Sequence, residues 1–178
     1  MCADAGRGAA RKGSTQRKTW RDCGLETKEK FAVERSIWLA KSRERVWKAI
    51  TDPQQIQKWF SPATPWGMSA LEVGGRLYVP DAETGAEMYV QVIDVVDPPS
   101  QFVTRSLPEP PQIAHITIWT LVEENGGTRL TITQAGYELE PEANRWNNME
   151  QNAFGFGMMM ENLQAYLLDT NLPYPYGF

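Results

Sequence analysis

Several common routes to function are closed by what this 178-residue chain lacks. It has two cysteines, Cys2 and Cys23, both ahead of the first convincing strand. That excludes a disulfide framework and a structural zinc site, and it fits a reducing compartment. Its one histidine, His115, removes most triad and metal chemistry and leaves carboxylates as the remaining acid–base groups. No apolar run approaches the roughly 20 residues of a membrane span. The N-terminus has no apolar core of the kind a secretory signal needs. The reading is therefore a cytoplasmic protein with no membrane span. No Gly-rich phosphate loop, nucleophile elbow or metal-ligand cluster is present, so no cofactor and no catalytic residue are assigned.

What is present is uneven. Residues 1–21 hold six of the 18 basic residues and only one of the 22 acidic ones, so this arm is about +5 and the rest about −9 of a net −4. The arm, taken as 1–30, is rich in Gly, Ala, Ser and Thr and nearly free of aliphatic residues, and is read as disordered. An electrostatic arm and an organelle transit peptide are the alternatives to a plain solvated tail; nucleic acid is not an expected partner. Residues 31–170 form the folded domain. Residues 171–178, NLPYPYGF, form an aromatic tail whose docking the composition does not decide.

The pattern within 31–170 predicts an α+β domain. Phe31–Ala40 alternates as a strand. Ser42 caps a short helix carrying Val46, Trp47 and Ile50. Asp52-Pro53-Gln54-Gln55 restarts a second helix as a capping box, with Ile56, Trp59 and Phe60 on its apolar side. Strands are then expected at Ser69–Val73, Arg76–Val79, Ala86–Val96, Gln101–Leu107, Gln112–Val122 and Thr128–Tyr137. Gly74-Gly75 reads as a turn, and Asn125-Gly126 as a hairpin turn. A long helix over about Glu142–Asp169 closes the chain. Short connections make the sheet antiparallel, and one long helix must cover its apolar face. A space between the two is a favoured ligand site.

The stretch AFGFGMMMENLQAYLL, 153–168, holds the sharpest signal. Trp146, Met149, Ala153, Phe156, Met160, Leu163 and Leu167 form one helical stripe. Phe154, Met158 and Met159 widen the apolar arc in its N-terminal half, so that half is expected to be buried on a second side or to face a cavity. Gly155 and Gly157 let a strand or a ligand approach the backbone.

Val46–Pro53, Lys58–Pro62, Val73–Arg76, Val96–Pro99, Gly127–Thr133 and Gly155-Phe156…Met160…Leu163…Leu167 carry a resemblance. In this order and spacing, from about Phe31 to Asp169, the chain resembles the START-like, or SRPBCC, superfamily with its helix-grip (START/Bet-v-like) fold. More narrowly it is similar to the branch named for the C-terminal domain of the activator of the heat-shock-protein ATPase. The resemblance implies a curved sheet of about six strands after the first, gripping a long C-terminal helix around a cavity. Phe156 stands where Trp is usual, and Thr104 and Ser106 occupy strand positions that are often aromatic.

The residues expected to line that cavity are Trp59, Trp66, Met88, Val90, His115, Thr117, Trp119, Phe156, Met159 and Met160. Trp59 could equally be core beneath a loop. Which face of 86–96 points inward stays open. Resemblance turns Leu121 inward, which carries His115, Thr117 and Trp119 with it, and a neutral His beside a Thr could orient a ligand carbonyl or hydroxyl. Arg105 is either a polar anchor or a solvated outer residue. Glu138, Glu140 and Glu142 suit the N-terminal dipole of the last helix. The functional expectation is a binder of an apolar or amphipathic small molecule, including a lipid, rather than an enzyme. The alternatives are a co-chaperone-like interaction module, for which 1–30 is too short and polar to be the second domain, and a cyclase- or hydrolase-type enzyme. Homodimerisation through exposed Ile116 and Ile118 is a further expectation.

Overall fold

A computed structural model describes residues 31–108 and 113–176. The basic arm and both cysteines lie outside the described residues. Strand β1 (Val33–Leu39) is followed by helices α1 (Arg43–Thr51) and α2 (Pro53–Trp59). Strands β2 (Gly67–Met68), β3 (Arg76–Pro80), β4 (Glu87–Asp97), β5 (Gln101–Ser106), β6 (Ile116–Glu124) and β7 (Gly127–Ala135) follow, then a 3-10 turn (Tyr137–Leu139) and helix α3 (Glu142–Leu167). All pairings are antiparallel, in the order β1-β7-β6-β5-β4-β3-β2. The first strand thus returns beside the last, with Leu39 opposite Thr128 and Val33 opposite Gln134. This is the helix-grip α+β arrangement.

Local chemistry explains most boundaries. Ser42 caps α1 by accepting from the Arg45 amide, and Asp52 caps α2 by accepting from the Gln54 amide at 3.0 Å. The capping box is altered. Gln55 donates to the Asp52 carboxylate at 3.2 Å, and its Oε1 accepts from Arg45 at 2.8 Å and from Tyr166 Oη at 3.2 Å, joining α1, α2 and α3. Asn125 and Gly126 both have left-handed φ, +50° and +73°, the geometry of the tightest hairpin turns. At Gly127 a Cβ would stand 2.4 Å from the Leu39 carbonyl oxygen, so only glycine lets β1 end there.

Three strand boundaries differ from expectation. Ser69–Val73 is not a strand. The Ser69 hydroxyl caps the Arg76 amide at 2.9 Å, and the chain folds back so tightly that a Cβ on Gly75 would lie 2.1 Å from the Ala70 carbonyl oxygen. Strand β6 starts at Ile116, and the strand expected from Gln112 begins outside the described residues. Strand β7 stops at Ala135 because Gly136, at φ +111°, turns the chain and sends Tyr137 fully into the interior.

The core gathers Trp59, Phe102, Leu39, Ile93, Leu121, Leu130, Ile132 and Leu163, each at most 2 % exposed. Full burial of each such side chain contributes about 1.5–3 kcal/mol. Ile118 is only 6 % exposed and faces Val103, 3 % exposed, across the strand pair. It is therefore not the exposed dimerisation residue that alternation suggests.

Helix α3 is divided. Its buried residues are Met159, Met160, Asn162, Leu163, Ala165 and Leu167, all in the C-terminal half. In the N-terminal half Trp146 and Phe154 are 54 % and 69 % exposed, so of the widened apolar arc Phe154 faces solvent, while Met158 is half-buried and Met159 buried. Cβ atoms placed on Gly155 or Gly157 would meet nothing within 4 Å, so neither glycine admits a neighbouring strand.

The C-terminal tail is docked. Buried Asn162 donates to the Trp59 carbonyl at 3.0 Å and the Tyr174 carbonyl at 2.9 Å, and accepts from the Tyr174 amide at 2.9 Å. Leu172 packs on the core. Asn162→Ala leaves these three backbone groups without their partner, each worth about 1–3 kcal/mol when buried and unmade. The expected result is a loss of about 2–4 kcal/mol in chemical denaturation together with protease cleavage near residues 171–176 in the folded protein. Unchanged stability would show that the tail is not held by this contact.

Candidate functional site

The split in α3 leaves a cavity of about 190 Å³ beside the middle of the helix, where its buried half begins. Phe156 and Met159 come from α3, Ile56 and Trp59 from α2, and Ile50 from α1. Phe60 and Trp66 come from the segment leaving α2. The floor is built from Leu77, Gln91, Phe102, Thr104, Thr117, Trp119 and Gln134. Aromatic edges stack along one wall: Trp59 on Phe60 at 5.8 Å and Phe60 on Trp66 at 5.3 Å, both nearly perpendicular, an arrangement that suits ring quadrupoles. The Trp59 indole donates to the Ala49 carbonyl at 2.9 Å. The Trp66 indole N–H is buried without a partner.

Register orders the floor. Thr104 sits opposite Thr117, and Thr117 opposite Gln134, giving one polar row across β5, β6 and β7. Two residues along, Phe102, Trp119 and Ile132 make an apolar row. Two irregularities interrupt β4. Gln91 pairs with Leu77, but Met88 pairs with Val79, so Tyr89 and Val90 together oppose one residue, with Tyr89 at φ +50°. Gln91 shares the inward face of fully buried Ile93 by ordinary alternation, Val90 takes the other face, and the bulge separates both from Met88.

Of the ten expected lining residues, Trp59, Trp66, Thr117, Trp119, Phe156 and Met159 are brought together here. Met88 is 41 % exposed and Met160 belongs to the core beside the cavity. Val90 lies outside the lining, on the strand face opposite Gln91 and buried Ile93. His115 also lies outside it, one residue before β6, where the strand has not yet begun. Its Nε2 meets Glu140 Oε1 at 2.8 Å, and its ring stacks on Tyr137 at 4.7 Å. Arg105 is paired with Asp94 at 3.2 Å on the outer face. Thr104, Gln91, Gln134 and Phe102 were missed. Neither glutamine was assigned a face from the sequence, and strand register reveals both.

A hydrogen-bonded layer lies behind the polar row, under the start of α3. Glu140 is 7 % exposed and turned inward, accepting from Asn148 at 2.6 Å in addition to its contact with His115. Arg145 donates to the carbonyls of Tyr137, Glu138 and Glu140, satisfying the turn. Tyr137 Oη accepts from Asn152 at 2.7 Å and donates to Gln134 Oε1, while Gln134 Nε2 donates to Thr117 Oγ1 at 3.3 Å. Burial pushes the Tyr137 hydroxyl up to about 12, with Glu140 adding to the rise against the bond from Asn152.

Among the described residues, no group of three or more His, Cys, Asp or Glu is placed to hold a metal ion, and no helix is long and apolar enough to cross a membrane.

The Tyr137 shift has a definite sign. An acid whose folded pKa is raised favours the folded state while it stays protonated. That stability is present below pH 10 and is lost as the pH rises through about 12. In an ultraviolet tyrosinate titration, one tyrosine is expected to ionise about two units late, and Tyr137→Phe removes that component. A wild-type curve with no late component would contradict the buried, donating state of this hydroxyl.

A search among curated proteins finds no match. Solved structures do match. CalU16 from Micromonospora echinospora is 20 % identical, with 76 % of this chain and 75 % of that one covered and a TM-score of 0.59. A protein from Mesorhizobium loti is 22 % identical, covering 79 % and 99 %, at 0.62. A protein from Mycobacterium smegmatis is 24 % identical, covering 79 % and 93 %, at 0.57. These likenesses show the fold. The profile of the Activator of Hsp90 ATPase homolog 1-like protein family matches residues 40–168, a span running from the end of β1 to the last turn of α3, and the chain belongs to that family.

Proposed function

We propose that this protein binds a small apolar or amphipathic molecule between its sheet and the middle of α3, at Phe156 and Met159. The carrying observation is the cavity of about 190 Å³, walled by Trp59, Phe60, Trp66, Trp119 and Phe156 and crossed at one end by a polar row. An apolar cavity of about 150 Å³ holds one benzene ring, and drug-sized ligands need about 300–1,000 Å³. The volume therefore suits a monocyclic compound with a short substituent better than a full-length lipid. Every lining residue is uncharged and without a titratable group near neutral pH, so a cyclase or hydrolase reading has no acid or base to act with.

Ethylbenzene is a suitable first probe. It should raise Tm by a few degrees once its concentration is well above Kd. Thr104→Phe fills the floor at a position often aromatic in the family and should abolish the rise. No rise in the wild type, or a rise that survives Thr104→Phe, would show that the site is misplaced.

A second reading rests on a different feature. Trp146, Phe154 and Leu139 are 54 %, 69 % and 61 % exposed near the start of α3. Exposed aromatics of this kind mark protein contact sites. A co-chaperone role predicts that Trp146→Ala with Phe154→Ala weakens capture of a purified heat-shock ATPase. Absence of capture by the wild type removes this reading.

A further inference from the structure

The polar row has a direction, and that direction specifies a ligand class. Asn152 Nδ2 gives its hydrogen to the Tyr137 oxygen at 2.7 Å, so the single Tyr137 proton goes to Gln134 Oε1. The Gln134 carbonyl is thereby held toward Tyr137, and its Nε2 turns toward Thr117 Oγ1 at 3.3 Å. An amide nitrogen carries two hydrogens, of which this contact uses one. Thr117 accepts here, and its own hydroxyl proton remains to be given. Both remaining donors belong to residues that line the cavity. The network thus presents hydrogens to the cavity and keeps the Gln134 oxygen away from it.

Charge narrows the class. A carboxylate would share the row with donors, yet no Lys, Arg or His lines the cavity. An ion buried without a counter-charge is strongly penalised. A neutral acceptor has no such penalty. Flat walls at Trp66, Trp119 and Phe156 favour a planar ring.

Resting on the cavity reading, we infer that the site selects a neutral aromatic carbonyl compound. Its oxygen accepts from Thr117 and Gln134, and its ring lies among Trp66, Trp119 and Phe156. Tyr137 is a positioning residue: it touches no ligand but fixes which end of the Gln134 amide faces inward.

Acetophenone and ethylbenzene differ mainly in the carbonyl and form the matched pair, and sodium benzoate tests charge. Affinities are read by ligand-observed NMR on the full chain. Acetophenone should bind about 2–10-fold more tightly than ethylbenzene, the range of one or two ordinary hydrogen bonds. Benzoate should bind at least tenfold more weakly than acetophenone. Thr117→Val and Gln134→Met should each shrink the acetophenone-to-ethylbenzene ratio, acetophenone losing more affinity than ethylbenzene does. Tyr137→Phe should shrink the same ratio, a change that a general loss of packing, which weakens both compounds alike, does not produce. Equal affinities for the two neutral compounds in the wild type would overturn the inference and leave the cavity reading standing. So would benzoate binding most tightly, or a ratio indifferent to all three substitutions. Failure of both neutral compounds to bind would overturn the cavity reading and the inference with it.

Discussion

Asn162 is the contact on which the rest of the site depends. It is fully buried, and its amide joins the end of α2 to the C-terminal tail through three hydrogen bonds. With Leu163 and Leu167 it pins one half of α3 to the core. A straight helix laid on a curved sheet cannot touch it along its whole length. Once the C-terminal half is fixed, the N-terminal half stands further from the core, and the cavity opens where the two halves meet, at Phe156 and Met159. A polar residue at this buried position costs little because each of its groups is satisfied.

The standing-off half needs support of another kind. Its underside carries hydrogen bonds: Asn148 to Glu140, Asn152 to Tyr137, Arg145 to three turn carbonyls. Arg35 on β1 reaches the Ala153 carbonyl at 3.1 Å. Such bonds are directional, whereas apolar packing is not, so they hold the helix at a set distance without closing the gap. The same layer orients Gln134.

The sequence made the architecture legible because strand alternation, capping residues and the Asn125-Gly126 turn are local signals. Thr117, Trp119, Phe156 and Met159 sit on regular elements whose periodicity made their side legible, whereas Trp66 lies in the segment between α2 and β2. Val90 falls outside the lining because it alternates with Gln91 and buried Ile93, while the bulge at Tyr89, which nothing in EMYVQV announces, breaks the face it would share with Met88. His115 failed because the strand begins one residue later, so the face shared with Thr117 does not extend to it. Gln91 and Gln134 were missed because polar residues in half-buried strands usually face water. Asn162 was passed over as one polar residue in an apolar helix, since its partners lie 103 and 12 residues away.

Trp66 separates the cavity from solvent at one corner, and its indole hydrogen has no acceptor. A buried donor left unsatisfied carries a penalty of about 1–3 kcal/mol. Rotating that ring outward removes the penalty, since water then accepts the hydrogen. Trp59, by contrast, would lose its bond to Ala49 on moving. The wall therefore has one panel whose opening is partly compensated by hydration, beside others whose opening is not.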